Sequence, residues 1–409
     1  MRPYYESSEL HMSEAAYKQM EDRIDEIFPE LCALSLNIHS HPEQCFQEHY
    51  ACKELTEFLK HHGFEVTGNP GGLDTAFLAE KKGCGPGPAV ALTAEYDALP
   101  IGHACGHNLI ATASMGAAAG LMSVMDKVQG TLKVIGTPAE EGGGGKVILC
   151  DKGVFRDVDF AMQVHPHKMN MIQCGSLAVR TVNVDFYGRM AHSSRPEEGV
   201  NALSSLLHTF SAIDAQRALL PAQTNISGIV TEGGKANNVI PDFASASFCV
   251  RASTVYDMQA AQKAVERAVE SSNCLFGTTS RITYGILYSE RYPNMPMDEA
   301  YKAHLESFGE QVTYPPANMK LASSDVGNVS LEVPMIQPYL YIGDVDVHTG
   351  EFEKAAAAPF AQEQMKKAAK ALARTAYDLF VSEDLRREAV RDFEEKVPRY
   401  TRAELGYGE

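Results

Sequence analysis

Thr181-Val182-Asn183-Val184-Asp185-Phe186-Tyr187 alternates apolar and polar side chains. Val182, Val184 and Phe186 fall on one face, which is the period-two pattern of a half-buried strand. The elements after this strand set the fold. Val200, Leu203, Leu206, Leu207, Phe210 and Ile213 recur at helical spacing. Asn225–Thr231 and Phe243–Arg251 read as strands, and Val255, Met258, Val265 and Val269 mark a second helix. Ile282, Tyr284, Ile286 and Tyr288 alternate as a last strand. The order β-α-β-β-α-β predicts a ferredoxin-like α+β unit over residues 181–292.

Outward from this unit the pattern changes. Upstream, an amphipathic helix over Ser13–His39 and a second over Glu54–His62, stopped by Gly63, precede three strand-like runs. These are Phe64–Thr67, Thr75–Glu80 and Ala89–Ala94, separated by Gly and Pro clusters. Leu109–Met125 is 17 residues long, uncharged and rich in Ala, Gly, Ser and Thr. It is too short to span a bilayer and reads as a buried helix packed close to its neighbours. Strands over Thr131–Thr137 and Asp159–His165 come next. Beyond Asp298 come helices, a strand near Tyr339–Ile342, an Ala-rich helix over Lys354–Phe380 and a charged tail from Ser382. Strands alternating with helices predict an α/β fold with a mixed, mainly parallel sheet flanked by helices. That domain is split, 1–180 and 293–409, around the smaller α+β unit.

Composition narrows the partners. Of 409 residues, 44% are hydrophobic and 22% charged, as in globular proteins, and 409 residues suffice for two or three domains. The net charge of -17 repels nucleic acid and anionic membrane, so neither is expected as a partner. Nine cysteines, an odd number without a CxxC pair, argue against a disulfide framework. Met1–Leu10 has no apolar signal core, so a cytoplasmic location is expected.

The densest set of candidate ligands is His103-Ala104-Cys105-Gly106-His107-Asn108. Cys105 and His107 are two apart, so an extended loop turns both to one side, and a thiolate with an imidazole suits zinc or a similar ion. Packed or capping side chains explain such a cluster equally well when it stands alone. Pro138-Ala139-Glu140-Glu141 precedes four glycines. Adjacent carboxylates at a strand end are costly unless a cation sits there, although a solvated acidic turn is the commoner origin of Glu-Glu. His165 ends one strand and His348 comes after another, at the end of the sheet where open α/β folds place their sites. Each alone reads more readily as an ordinary His, and His167 competes with His165. His39, His41, His49, His61 and His62 have no partner motif. In the smaller unit, His192 comes after a strand in Gly188-Arg189-Met190-Ala191-His192, Asn238 lies in a Gly-rich turn, and Arg251 is suited to binding a carboxylate. Each of these is by itself an ordinary loop or strand residue.

The pieces also stand in a telling order. Ala94-Glu95-Tyr96-Asp97-Ala98-Leu99-Pro100, the His-Ala-Cys-Gly-His-Asn run, Pro-Ala-Glu-Glu-Gly, Gly-Arg-Met-Ala-His, Asn-Val-Ile-Pro, Ser323-Ser324-Asp325-Val326-Gly327-Asn328 and the late His348 together resemble the aminoacylase/carboxypeptidase family of dinuclear metallopeptidases. Within it the chain is similar to the amidohydrolase branch of indole-acetyl-amino-acid hydrolases, aminobenzoyl-glutamate hydrolase and the beta-alanyl-lysine-type dipeptidase. The resemblance runs from about Ile24 to Leu385. It departs from many members at Asn108, where Asp is usual, and at Glu95.

The resemblance implies that the split domain is catalytic and that the inserted unit is a lid and dimerisation domain. It implies two divalent ions per subunit, with zinc expected and manganese or cobalt as alternatives. Cys105, His107, Glu141, His165 and His348 would hold them, with Asp97 supporting the ligand loop. Glu140 would be the general base acting on a metal-bound water. His192, from the other subunit of a homodimer, would stabilise the oxyanion, while Asn238 and Arg251 hold the substrate's carbonyl and carboxylate. The expected reaction is hydrolysis of an amide bond in a small dipeptide or N-acyl amino acid. The alternatives are an amide-forming ligase or acyltransferase, a catalytically inactive binding homologue, and a Cys105 nucleophile paired with His107.

Overall fold

A computed structural model describes residues 7–408. Helices α1 (Ser7–Glu26), α2 (Phe28–Ser40) and α3 (His49–His61) precede strands β1 (Glu65–Gly68), β2 (Phe77–Lys82) and β3 (Ala89–Ala94). Then come α4 (His107–Met122), β4 (Thr131–Gly136), α5 (Gly145–Asp151), β5 (Phe160–Met162) and β6 (His165–His167). The middle of the chain holds β7 (Ala178–Tyr187), β8 (Ala191–His192), α6 (Ala202–Gln216), β9 (Asn225–Glu232), β10 (Val239–Ile240), β11 (Phe243–Ala252), α7 (Val255–Phe276) and β12 (Thr279–Tyr284). The chain closes with α8 (Met295–Ser307), α9 (Val326–Glu332), β13 (Met335–Ile336), β14 (Tyr339–Tyr341), α10 (Gly350–Ala356), α11 (Pro359–Val381), α12 (Glu383–Lys396) and α13 (Arg402–Leu405).

These elements form two compact units. The first runs to Gly175 and resumes over Arg291–Leu321 and Asn328–Arg399. Its six-stranded sheet has the order β1-β2-β4-β3-β5-β13. The pairs β4–β3, β3–β5 and β5–β13 are parallel, and the β1–β2 and β2–β4 pairs are antiparallel. The mixed, mainly parallel sheet flanked by helices is thus the one expected.

Helix α4 is buried along its length from His107 to Leu121. Its small residues are what permit this: a Cβ on Gly116 would sit 3.0 Å from Ala369 Cβ and Leu31 Cδ1, and one on Gly120 2.8 Å from Ile24 Cδ1. The apolar run predicted as a close-packed helix is that element. Helix α3 is started by a residue outside it. Glu43 accepts from Tyr50 N at 2.9 Å and Ala51 N at 3.0 Å, which satisfies two of the orphan amides of a helix N-terminus. The Glu43 carbonyl accepts from Ala98 N at 2.7 Å.

The second unit comprises Ser176–Glu290, Ala322–Gly327 and the chain from Tyr400 onward. Its four-stranded antiparallel sheet, β12-β7-β11-β9, carries α6 and α7 in the β-α-β-β-α-β order, with the short pair β8–β10 in addition. Val182, Val184 and Phe186 are all fully buried.

Several boundaries differ from those read in the sequence. The first helix breaks at Ile27 because Pro29 opens α2. The Ala-rich helix likewise breaks, and Pro359 starts α11. The run 159–165 is two strands, β5 and β6, which pair with different partners, β13 and β14. The last strand of the second unit stops at Tyr284, and Tyr288 makes only an isolated bridge to Val179. The tail past Tyr400 and residues 322–327 belong with the second unit, not with the sheet domain. Tyr400 Oη donates to Glu290, Gln259 Nε2 donates to Glu404 O at 2.7 Å, and Leu177 N donates to Ala322 O at 2.8 Å.

Candidate metal centre

Parallel strands place the ends of β3, β4 and β5 on one edge of the sheet. Glu95 and Asp97 lie just past β3, Glu140 and Glu141 just past β4, and His165 begins β6 beyond β5. Cys105 and His107 come from the turn into α4. Gly106 holds φ +76° there, and a Cβ on it would meet Pro166 Cγ at 2.9 Å, so the turn can press against β6 only because the residue is glycine. His348 reaches in from the loop after β14, its backbone N donating to Ala104 O at 2.8 Å.

The five expected ligands meet. Cys105 Sγ is 3.4 Å from His165 Nε2 and 3.6 Å from His348 Nε2. Glu141 Oε1 is 3.8 Å from His107 Nε2 and 3.7 Å from His348 Nε2. Three overlapping groups have all their donor atoms within 4.8 Å of one another: Cys105 with His107 and His165, Cys105 with Glu141 and His348, and His107 with Glu140 and Glu141. His167 is in none of them; its ring stacks on Tyr339 at 4.4 Å.

Asp97 orients the set from beneath. Its Oδ1 lies 3.1 Å from His107 Nδ1, its carbonyl O 2.8 Å from the same nitrogen, and its Oδ2 accepts from Glu141 N at 2.9 Å. One buried carboxylate therefore fixes both the ring of one candidate ligand and the backbone of another, as carboxylates do beside a metal-binding His. His165 Nδ1 is likewise engaged, 2.8 Å from Pro166 O.

The electrostatics suit cations. Burial pushes the Cys105 thiol up and holds His165 down at about 3. Burial acts against the charge of His107 as well, but Asp97 and Cys105 outweigh it and raise its pKa. Buried polar atoms are normally hydrogen-bonded, yet His107 Nε2 and Glu141 Oε1 have no such partner. Two orphaned donor atoms facing each other, beside a thiol and two further imidazoles, fit divalent ions.

Sequence reading missed the floor of this site. Glu95 is fully buried and pairs with Lys146 Nζ at 2.6 Å, while Gln163 Nε2 donates to it at 2.8 Å. Burial works against its charge, but Lys146 together with His107 and His165 outweighs burial and lowers the Glu95 pKa. Glu95 Oε2 has no hydrogen-bond partner and stands 3.8 Å from His107 Nε2. A lysine directly after four glycines was the available signal. Asn108 serves packing: its Nδ2 donates to Ser35 Oγ at 3.0 Å and Ala356 O at 3.2 Å.

The remaining candidates lie in the second unit. His192 and Asn238 are neighbours there, since β8 pairs with β10 and Ser193 N donates to Asn238 O at 3.0 Å. His192 is exposed, with Nδ1 2.8 Å from Ser194 Oγ. Arg251 is elsewhere. It sits at the far end of β11, opposite Val179, whereas Phe243 at the near end pairs with Tyr187. Eight residues of extended strand separate those ends by about 26 Å. The structure thus brings His192 and Asn238 together and sets Arg251 apart from both.

Comparison with known proteins shows the family. Residues 176–273 match the peptidase dimerisation domain. The chain is 35% identical to the Xaa-Arg dipeptidase of Mus musculus over 395 residues, 92% of this chain and 91% of the mouse protein. It is 27% identical over 461 residues to a p-aminobenzoyl-glutamate hydrolase component of Escherichia coli (strain K12), covering 93% and 95% of the two chains. A dinuclear metal-binding peptidase of the M20 family from Bacillus subtilis superposes with a TM-score of 0.68 at 21% identity, over 87% of this chain and 99% of that one. With 35% identity maintained along nearly the whole length and the same architecture in both units, the chain belongs to the M20 family of metal-dependent peptidases and amidohydrolases.

Proposed function

We propose that this enzyme hydrolyses the amide bond of a small dipeptide, with a basic C-terminal residue as the preferred class and N-acyl amino acids as the wider one, using Glu140 as the general base. The observation that carries this reading is the convergence of Cys105, His107, Glu141, His165 and His348 beside Glu140. The relatives named for Xaa-Arg and p-aminobenzoyl-glutamate substrates support the substrate class.

Two zinc ions fit a donor set of one thiolate, three imidazoles and a carboxylate. When bound, such ions act as Lewis acids that polarise the scissile carbonyl and lower the pKa of a coordinated water. The protein's own part is proton handling and placement. Glu140 takes a proton during attack and delivers it to the leaving amine. Asp97 keeps His107 and Glu141 in register. Arg251 anchors the substrate carboxylate through its guanidinium fork. His192 and Asn238 steady the developing oxyanion.

The separation of Arg251 from His192 supports a homodimer. The two ends of one strand cannot reach the same small substrate, so on this reading His192 and Asn238 act on a different substrate molecule from Arg251, as in a homodimer that shares its sites. Nine free cysteines fit a reducing, cytoplasmic setting.

The test is Glu140→Gln in metal-loaded protein, assayed by mass spectrometry against a panel of alanyl-arginine, alanyl-lysine, N-acetyl amino acids and p-aminobenzoyl-glutamate. Turnover is expected to fall by roughly 10²–10⁴-fold with metal content unchanged. Full turnover by this variant would remove the assignment.

A further inference from the structure

Glu140 comes directly after a residue held in an unusual conformation. Ala139 has φ +61°, in the left-handed region that residues with a Cβ rarely adopt, and it is fully buried. Its carbonyl accepts from Gly143 N at 3.0 Å and Gly144 N at 2.8 Å, which closes the turn around Glu140 and Glu141. The turn is tight: a Cβ on Gly143 would lie 2.5 Å from the Phe46 ring and 2.6 Å from Ala139 Cβ. Its amide side is held by one side chain. Ala139 N donates to Glu48 Oε1 at 2.9 Å.

Glu48 is fully buried and itself fixed. Its Oε1 also accepts from Phe46 N at 2.9 Å, and its Oε2 accepts from Thr75 Oγ1 at 2.9 Å. It stands at the cap position of α3, yet its side chain makes no bond to that helix. Glu43 does the capping instead. A carboxylate has thus been taken from its local duty and buried under a loop 91 residues away, where it meets the amide next to Glu140.

We propose that Glu48 is a positioning residue for catalysis: its fixed carboxylate holds Ala139 in the left-handed conformation and thereby aims Glu140. The proposal rests on Glu140 being the base. It assigns Glu48 no contact with substrate or metal.

The test uses the full-length, metal-loaded enzyme and the panel substrate that turns over fastest. Glu48→Met keeps the length but removes both oxygens that accept from Ala139 N, Phe46 N and Thr75 Oγ1. It is expected to lower kcat roughly 10–100-fold, the cost of a misplaced catalytic group, with KM within about twofold and metal content unchanged. Glu48→Asp, too short to reach, is the second variant with the same expectation. The decisive arm is Glu48→Met combined with Ala139→Gly. Glycine takes a positive φ without the Cβ penalty, so the double variant is expected to recover about tenfold or more of the lost kcat. Hydrogen exchange needs no substrate: the amides of Ala139 and Gly143 are expected to exchange faster in Glu48→Met, while α3 and the central sheet keep wild-type protection.

A Glu48→Met enzyme with wild-type kcat overturns the proposal. So does a loss that only tracks metal content, or a double variant no better than the single one. If Glu140→Gln is inactive and Glu48→Met fully active, the positioning role fails alone. If Glu140→Gln is fully active, the base assignment fails and this proposal falls with it.

Discussion

Lys146 and Glu95 show how far single residues shape the centre. Both are fully buried, 2.6 Å apart, beneath His107. Breaking a buried ion pair from one side leaves an uncompensated charge, whereas removing both partners does not. Lys146→Met is therefore expected to cost about 3–5 kcal/mol in urea unfolding, and Lys146→Met with Glu95→Gln to regain most of it. If the double variant is no more stable than the single one, the pair is not what fixes this floor. The candidate site residues above it were legible because Cys105 with His107 and Glu140 with Glu141 are local patterns. Gln163, which completes the floor from 68 residues away, leaves no such pattern. Nor does Glu48, whose importance lies in a contact with Ala139 that no spacing reveals. His192 and Arg251 were both readable as candidates, but their distance apart arises from strand register, which a list of motifs does not contain.

At the scale of elements, α8 carries a buried acid that no site uses. Asp298 lies in its first turn, where Oδ2 accepts from Gln173 N at 2.9 Å. Burial raises its pKa from 3.8 to about 7. Between those values the folded protein holds a proton that the unfolded chain has released, so stability falls as pH rises through that window. Asp298→Asn removes the titration. Relative to wild type, its unfolding free energy in urea is expected to rise between pH 5 and pH 8 by on the order of 1–4 kcal/mol. A constant offset between the two proteins across that range would rule out this origin. Element type was read well wherever the apolar period was long, as in α4 and β7. Ends were read poorly where proline intervened, at Pro29 and Pro359, because the apolar stripe runs on past a break that the missing N–H imposes. The division of 159–165 into β5 and β6 was hidden for another reason: both halves are apolar, and only their different partners separate them.

At the scale of the whole molecule, the homodimer proposed above makes an arithmetic prediction. Glu140→Gln and His192→Ala subunits are each expected to be inactive as homodimers. After exchange, an equal mixture forms heterodimers with one intact site each, so activity is expected to reach about a quarter of wild type. A mixture that stays inactive after proven subunit exchange would mean that His192 acts within its own chain. The segment from Glu43 to Glu48 has a further consequence, for anyone who opens the chain. Its first residue ties the loop of Asp97 through Ala98, and its last ties the loop of Glu140 through Ala139. An epitope tag, a fluorophore or a proteolytic nick placed between them is felt at once on both walls of the centre. The same insertion beside Leu219, which is 80% exposed in the second unit, pulls on neither.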